Sequence, residues 1–165
     1  MVMLPFLWGC AKDHNIPPVN LDYLEVSRDS EHSYQVRFAS DADLLNVFKP
    51  EDSTIGGLLR CSLSSNNAQN EHYTEQYVSS GLIYAVQPGS TLKPFVFNAS
   101  LIFVESINEG RSRRTLEARE LRDILSAKPS VPCVYISPAY GFKPFVSGVL
   151  RIPARDILRE LDKGY

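Results

Sequence analysis

The chain lacks the short motifs that mark common nucleotide, redox and hydrolase sites. Its 165 residues contain no Gly-x-Gly-x-x-Gly, no phosphate-binding loop, no Cys-x-x-Cys and no Gly-x-Ser-x-Gly. Only three histidines occur, all in polar surroundings, and His72 and Glu75 would point to opposite faces of a strand. The sequence therefore predicts neither a cofactor nor a metal site.

Long apolar runs and a strong charge of one sign are also missing. No stretch approaches the length of about 18 to 20 apolar residues that a transmembrane helix needs. The formal net charge of -2 gives no indication of a nucleic-acid partner. What is present, 44% hydrophobic and 22% charged residues in a chain of this length, is typical of a globular protein with a real core.

The charges are unevenly distributed along the chain. Residues 1–90 hold 5 Lys and Arg against 11 Asp and Glu, whereas residues 91–165 hold 12 against 8. The split is consistent with an acidic and a basic face on one domain, or with a basic patch that meets an acidic partner protein. Tyrosine is favoured at such interfaces. The candidate partner-binding residues are Arg111, Arg113, Arg114 and Tyr140.

Alternating apolar and polar residues predict strands over most of the chain. The predicted strands cover residues 21–26, 33–38, 54–63, 72–86, 95–106, 131–137 and 142–152. The stretch 95–106 is largely apolar on both faces, which predicts a central strand covered on both sides. Helices are predicted over 116–127, with Thr115 as N-cap, and after Pro153. A short helix capped by Asp41 or Ser40 is predicted before Pro50.

This pattern predicts an α+β fold. We expect a mostly antiparallel sheet of about six to eight strands with two or three helices, the clear ones C-terminal. Residues 21–165 are expected to form a single domain. Residues 1–20 are expected to be either a signal remnant with a tether or a first strand.

The end of the first apolar stretch resembles a bacterial lipoprotein lipobox. Leu7, Gly9 and Cys10 match that box, and the chain turns polar directly after Cys10. The resemblance implies a lipid on Cys10, a short tether over 11–20, and a membrane-anchored protein of the bacterial periplasm. In the alternative, residues 1–8 form a buried first strand of a cytoplasmic protein with three reduced thiols.

The lipobox resemblance also affects the other two cysteines. If Cys10 carries a lipid, Cys61 and Cys133 are left as an even pair. An oxidising periplasm could join such a pair in a disulfide.

Residues 87–95, Gln-Pro-Gly-Ser-Thr-Leu-Lys-Pro-Phe, resemble the Ser-x-x-Lys box of penicillin-binding proteins. The resemblance implies Ser90 as the acylated nucleophile and Lys93 as the base that takes its proton. It covers nine of the 165 residues, and the family's later Lys-Thr-Gly or Lys-Ser-Gly box is absent. The same residues are also typical of a Pro-Gly turn between two strands.

Three functional hypotheses follow from these observations. The first is a non-enzymatic binding protein that acts by protein–protein contact, as an envelope lipoprotein of toxin-neutralising or assembly type. The second is a serine acyl-enzyme of penicillin-binding type that uses Ser90 and Lys93. The third is a cytoplasmic regulatory or phage-type protein.

Overall fold

A computed structural model describes residues 11–48, 56–64, 75–87, 93–108 and 110–163. Within these ranges the chain forms nine strands of one sheet and two α-helices, both in the C-terminal third, which confirms the predicted α+β class. The bounds are β1 Leu21–Arg28, β2 Ser33–Ser40, β3 Leu58–Ser62, β4 Tyr77–Val86, β5 Phe95–Ile107, β6 Ser112–Thr115, α1 Ala118–Ser126, β7 Ser130–Ser137, β8 Phe145–Val146, β9 Leu150–Pro153 and α2 Ala154–Asp162.

All paired strands of the sheet are antiparallel, and the main order is β1-β2-β5-β4-β3-β7-β8. The long strand β5 also pairs with β6, and β7 also pairs with β9. The sheet curls until β1 contacts β9. A backbone bond closes this seam, because the Gly148 N–H donates to the Val19 carbonyl over 2.9 Å.

The inner face of the curled sheet holds the core. Alternate residues of each strand point inward, as the period of two requires. The buried inner-face residues include Val36, Phe38, Leu59, Phe97, Leu101, Val131 and Tyr135. Leu121 and Leu125 of α1 and Ile157 and Leu161 of α2 belong to the same cluster. Both helices therefore pack their apolar stripes against the inner face of the sheet.

The outer face of the central strands is only partly covered, which corrects the prediction for 95–106. On β5, Val96 is buried, but Ser100 is exposed and Ile102 is 44% exposed. The physical reason is that the two helices already pack against the core side. Apolar residues on both faces of a strand therefore do not mean that both faces are covered. They indicate only that the second face is able to contact another molecule.

The predicted last strand over 142–152 is wrong, because it is interrupted at Ser147. The Ser147 hydroxyl accepts a bond from the Tyr135 N–H over 2.9 Å and donates to the Gly148 carbonyl over 2.8 Å. The Ser147 hydroxyl thus replaces the backbone carbonyl that would accept the Tyr135 N–H in a regular strand pair. The chain is divided there into β8 and β9, which pair with different halves of β7.

The helix starts also differ from the predictions. Thr115 pairs with Val104 at the end of β6 and does not cap α1. The N-cap of α1 is Glu117, whose N–H donates to the Glu120 carboxylate over 2.9 Å. The short predicted helix is a 3₁₀ turn over Leu44–Asn46, capped by Asp43. Long-range strand pairing determines where α1 can begin, and this cannot be read from the local sequence.

The described part of the N-terminal segment is bound to the domain. The Lys12 N–H donates to the Gly141 carbonyl, and the Lys12 carbonyl accepts from the Lys143 N–H, both over 2.8 Å. The His14 ring lies 5.5 Å from the Phe48 ring, edge to face. A free tether therefore does not extend over all of 11–20. Residues 1–10, with both interpretations of the first apolar stretch, lie outside the described residues.

Candidate binding surface

The clearest candidate for contact with another molecule is a group of apolar side chains on the outer face of the sheet. Leu58 on β3 lies directly opposite Leu82 on β4 and opposite Ile136 on β7. Tyr84 follows Leu82 on the same face of β4, and Ile102 of β5 lies opposite Ser80. We define the outer-face patch as Leu58, Leu82, Tyr84, Ile102 and Ile136.

The middle of this patch is open to solvent. Leu82 is 72% exposed, Ile102 is 44% exposed and Tyr84 is 43% exposed. Ile102 and Leu82 are diagonal neighbours across β4 and β5, within the distance at which long side chains touch. The exposed apolar residues are therefore contiguous, which distinguishes them from the isolated surface leucines of any protein.

Polar side chains beside the patch hold Tyr84 in place. The Gln35 side chain donates to the Tyr84 hydroxyl over 2.5 Å, and the Asn98 amide donates to the Gln35 Oε1 over 3.2 Å. Arg37, two residues after Gln35 on β2, donates a further hydrogen bond to the Glu25 carboxylate. A tyrosine that is positioned before binding loses less rotamer freedom when a partner arrives.

The structure separates the three predicted partner-binding arginines. Arg113 and Arg114 are adjacent on β6, so their side chains point to opposite faces of the sheet. Arg114 lies 2.5 Å from the Glu105 carboxylate and 2.8 Å from that of Glu120. These hydrogen bonds lower the pKa of Glu105 and bring the pKa of Glu120 to about 2. Arg114 is thus neutralised by its own chain and is a poor candidate for binding an acidic partner.

Arg113 lines a groove that begins beside the outer-face patch. The groove has a volume of about 170 Å³ and is lined on four strands by Leu58, Arg60, Val78, Ser80, Ser106 and Arg113, with Ser79 as a further lining residue. We call it the arginine groove. Because Leu58 belongs both to the groove and to the outer-face patch, the two features form one continuous surface.

The other two predicted contact residues lie elsewhere. Arg111 is exposed in the turn between β5 and β6, where its N–H donates to the Asn108 carbonyl. Tyr140 is 82% exposed in the turn after β7. The strand registers place this turn and β6 at opposite ends of the sheet. Tyr140 therefore cannot form one small site with the arginines of β6.

Cys61 and Cys133 lie opposite each other on β3 and β7 and are joined by a disulfide. Both are fully buried on the inner face. Their 72-residue separation in sequence is closed by the strand pairing. The bond links two neighbouring strands and lies away from the outer surface, so its role here is structural.

Lys93, the proposed base of the serine enzyme hypothesis, is bound by two carboxylates. Its Nζ lies 2.9 Å from Asp41 Oδ2 and 3.0 Å from Asp22 Oδ2. The hydrogen bonds to Asp41 and Asp22 raise the pKa of Lys93. An amine held in its charged form is less able to accept a proton from a hydroxyl. Ser90 lies outside the described residues.

Within the described ranges, no three His, Cys, Asp or Glu side chains are grouped so that they could hold a metal ion. None of the helices that the structure describes is long and apolar enough to cross a membrane. No protein-family model matches the chain, and neither the curated proteins nor the solved structures include a significant match.

The sequence does not predict that Leu58, Leu82, Ile102 and Ile136 form an exposed outer surface, or that Arg60 lines the groove. The pattern over 72–86 predicts a strand without indicating on which face Leu82 and Tyr84 lie, and the pattern over 95–106 predicts a covered face for Ile102. A usable signal was the period-two series Val78, Ser80, Leu82, Tyr84, which places mixed polar and apolar residues on one face of β4. Such mixing is typical of a surface that is exposed in part.

Proposed function

We propose that this protein is a non-enzymatic binding protein that contacts a partner protein through the outer-face patch. The observation that carries the proposal is the 72% exposure of Leu82 next to the half-exposed Ile102 and Tyr84 in the middle of the sheet. Contiguous exposed apolar residues with a polar rim are typical of interaction sites. The fixed position of Tyr84 supports the same function, because aromatic anchors contribute strongly to interfaces.

The position of Lys93 favours binding over serine acyl-transfer chemistry. A serine enzyme of this kind needs a lysine that can take up a proton. Lys93 instead lies between Asp22 and Asp41, which favour its charged form. This ion-pair cluster joins the start of β1 to the segment before β5, a role that stabilises the end of the sheet.

We further propose that the protein acts at a bacterial envelope, anchored through Cys10. The lipobox resemblance and the Cys61–Cys133 disulfide support this location, because disulfides persist in oxidising compartments. Lys12 is bonded to the turn that carries Tyr140, so a lipid on the neighbouring Cys10 would bring this end of the sheet to the membrane. Mass spectrometry of the native protein tests this: Met1 retained with a free Cys10 thiol would contradict it.

Site-specific photo-crosslinking tests the proposed contact surface. A benzophenone amino acid at Leu82 should give one discrete adduct in the producing cells, because Leu82 is the most exposed residue of the outer-face patch. The same group at Arg155, which is exposed on α2, is the control position. Ile102→Asp should abolish the Leu82 adduct while leaving the thermal midpoint within a few degrees of the wild type. Equal adducts at both positions, or none at Leu82, would contradict the proposal.

A further inference from the structure

We propose that the free edge of β6 binds an extended, acidic segment of a partner protein, which joins the sheet as an additional antiparallel strand. The inference goes beyond the proposed function, because it concerns a lateral edge of the sheet and does not depend on the outer-face patch. Strand addition of this kind takes its affinity from backbone hydrogen bonds and its specificity from alternate side chains.

The edge of β6 is left open by the part of the chain that the structure describes. β6 pairs with β5 on one side, and no described strand pairs with its other side. Ser112, Arg113 and Arg114 are exposed. The other lateral edges differ, because α2 and β9 pack against β1, and the His14 ring of the N-terminal segment is hydrogen-bonded to the Pro144 carbonyl beside β8. β6 therefore offers the more accessible edge.

The pairing with β5 defines which backbone groups this edge presents. The Leu116 N–H donates to the Phe103 carbonyl over 3.0 Å, which makes these two residues a hydrogen-bonded pair. Such pairs alternate with non-hydrogen-bonded pairs along an antiparallel ladder, so Arg114 bonds to β5 whereas Arg113 and Thr115 do not. The N–H and carbonyl groups of Arg113 and Thr115 therefore point away from β5. No described residue bonds to them, and a row of unpaired groups is a template for a further strand.

Arg113 gives the edge a positive charge with which no carboxylate of the described chain pairs. It lies opposite Ser106 on the outer face of the sheet. Glu105 faces the other way and is bound to Arg114. In an added antiparallel strand, the residue hydrogen-bonded to Arg113 places its side chain on the same face, about 5.5 Å away between Cα atoms. A Glu or Asp there can form a cross-strand ion pair with Arg113.

Charge also distinguishes a partner segment from a second copy of this chain. Pairing of two β6 strands would bring the arginines of both copies together across the new ladder, and like charges on neighbouring strands are destabilising. Charged side chains of this kind are a common protection of strand edges against self-association. An acidic segment turns the same repulsion into attraction. The basic edge therefore favours an acidic occupant from another protein.

Titration of isotope-labelled protein with a blocked synthetic peptide, Thr-Val-Thr-Glu-Thr-Thr, tests this inference. Its Glu can lie opposite Arg113 and its Val opposite Thr115. We expect saturable NMR shifts at the amides of Arg113 and Thr115. Exchange of these two N–H groups with water should slow about fivefold or more near saturation, because both become hydrogen-bonded. The Arg114 N–H, which already bonds to β5, is the internal reference and should change little.

Two methylated peptides distinguish strand addition from any other mode of binding. N-methylation of the Glu removes an N–H that would donate to the Arg113 carbonyl, so it should weaken binding about tenfold or more. N-methylation of the Thr between Val and Glu removes an N–H that would point away from β6, so it should weaken binding much less. Equal losses for the two peptides would overturn the inference.

Arg113→Gln and Arg111→Gln form a matched pair for the charge. Both residues are exposed on the same hairpin, but Arg111 lies in the turn before β6. The Glu peptide should bind wild type about threefold or more tightly than the same peptide with Gln in place of Glu. Arg113→Gln should abolish this advantage, and Arg111→Gln should retain it. An advantage that survives Arg113→Gln would overturn the proposed ion pair and, with it, the acidic occupant.

The remaining outcomes separate this inference from the proposed function. If the Leu82 adduct forms but the peptide gives no saturable shifts at Arg113 and Thr115, the edge inference fails and the outer-face contact stands. If the peptide binds at Arg113 and Thr115 but no Leu82 adduct forms, the outer-face contact fails and the edge inference stands. A dimer that protects the two amides without peptide would assign the edge to a second copy and overturn the inference.

Discussion

Leu101 and Ile102 are neighbours on β5, yet they belong to two different surfaces. Leu101 points inward, is fully buried and packs in the core, whereas Ile102 points outward and is 44% exposed. The same strand therefore contributes to the core through one face and to the proposed binding surface through the other.

Arg113 and Arg114 repeat this division on β6. Arg114 contributes to the domain through its ion pairs with Glu105 and Glu120, and Arg113 lines the groove on the other side of the strand. Neighbouring residues of identical type thus have different tasks because a strand alternates its side chains.

The largest expected effect comes from the inner-face disulfide. Replacing both Cys61 and Cys133 with alanine should lower the free energy of unfolding by about 4 kcal/mol, because the 72-residue separation leaves a long loop free in the unfolded chain. The thermal midpoint should fall by about 10 °C. Calorimetry of wild type with and without reductant provides the control. A midpoint that reductant does not change would show that the two thiols are not joined.

A second pair of variants compares the faces within one strand. Leu101→Ala should cost about 3 kcal/mol, because it opens a cavity in the core. Ile102→Ala should lower the free energy of unfolding by less than about 1 kcal/mol, since nearly half of the side chain is already exposed to solvent. Urea unfolding of both variants measures the difference. Equal losses would mean that the outer face is covered as firmly as the inner face, which would contradict the proposed binding surface.

The smallest expected effect is a pH dependence of the Arg114 contribution. The pKa of Glu120 is lowered to about 2 from 4.5 and that of Glu105 is lowered too, so their stabilising effect is present above about pH 4.5 and is lost as the pH falls toward 2. Arg114→Gln should therefore destabilise the protein at about pH 6 and much less at about pH 2.5. Urea unfolding at the two pH values measures this.

Arg113→Gln is the matched control for that pH dependence. Within the described residues its guanidinium forms no ion pair with a carboxylate of the chain. Its effect on the unfolding midpoint should therefore be small and the same at both pH values. A pH-dependent loss in Arg113→Gln as large as that of Arg114→Gln would remove the distinction between the two arginines.

Much of the inner face could be predicted from the sequence. Tyr34, Val36 and Phe38 of β2 alternate with Gln35 and Arg37, and this period of two predicts a strand with one buried side. β6 could not be predicted, because Ser112–Thr115 contains no apolar alternation. It forms because β5 extends past the start of β2, where Ser33 pairs with Ile102, and so offers a free edge to which Arg113 and Arg114 can pair.

The outer surface could be predicted only in part. The basic character of residues 91–165 predicts a site for an acidic partner, and of the predicted arginines Arg113 is the one that lines the arginine groove. Nothing local distinguishes Arg113 from Arg114, because the neutralising Glu120 reaches the site from α1. Arg60 belongs to the acidic half of the chain, so its approach to Arg113 depends on the sheet order.

The sequence by itself determined the α+β class, the alternation that defines the strands, and the stripes that make α1 and α2 amphipathic. These features depend on side-chain periodicity within a few residues of each other. Only the tertiary structure decided which face the helices cover, that Cys61 meets Cys133, and that Arg60 and Arg113 share one groove. Those outcomes depend on contacts between residues far apart in the chain, where the order of the strands determines which side chains meet.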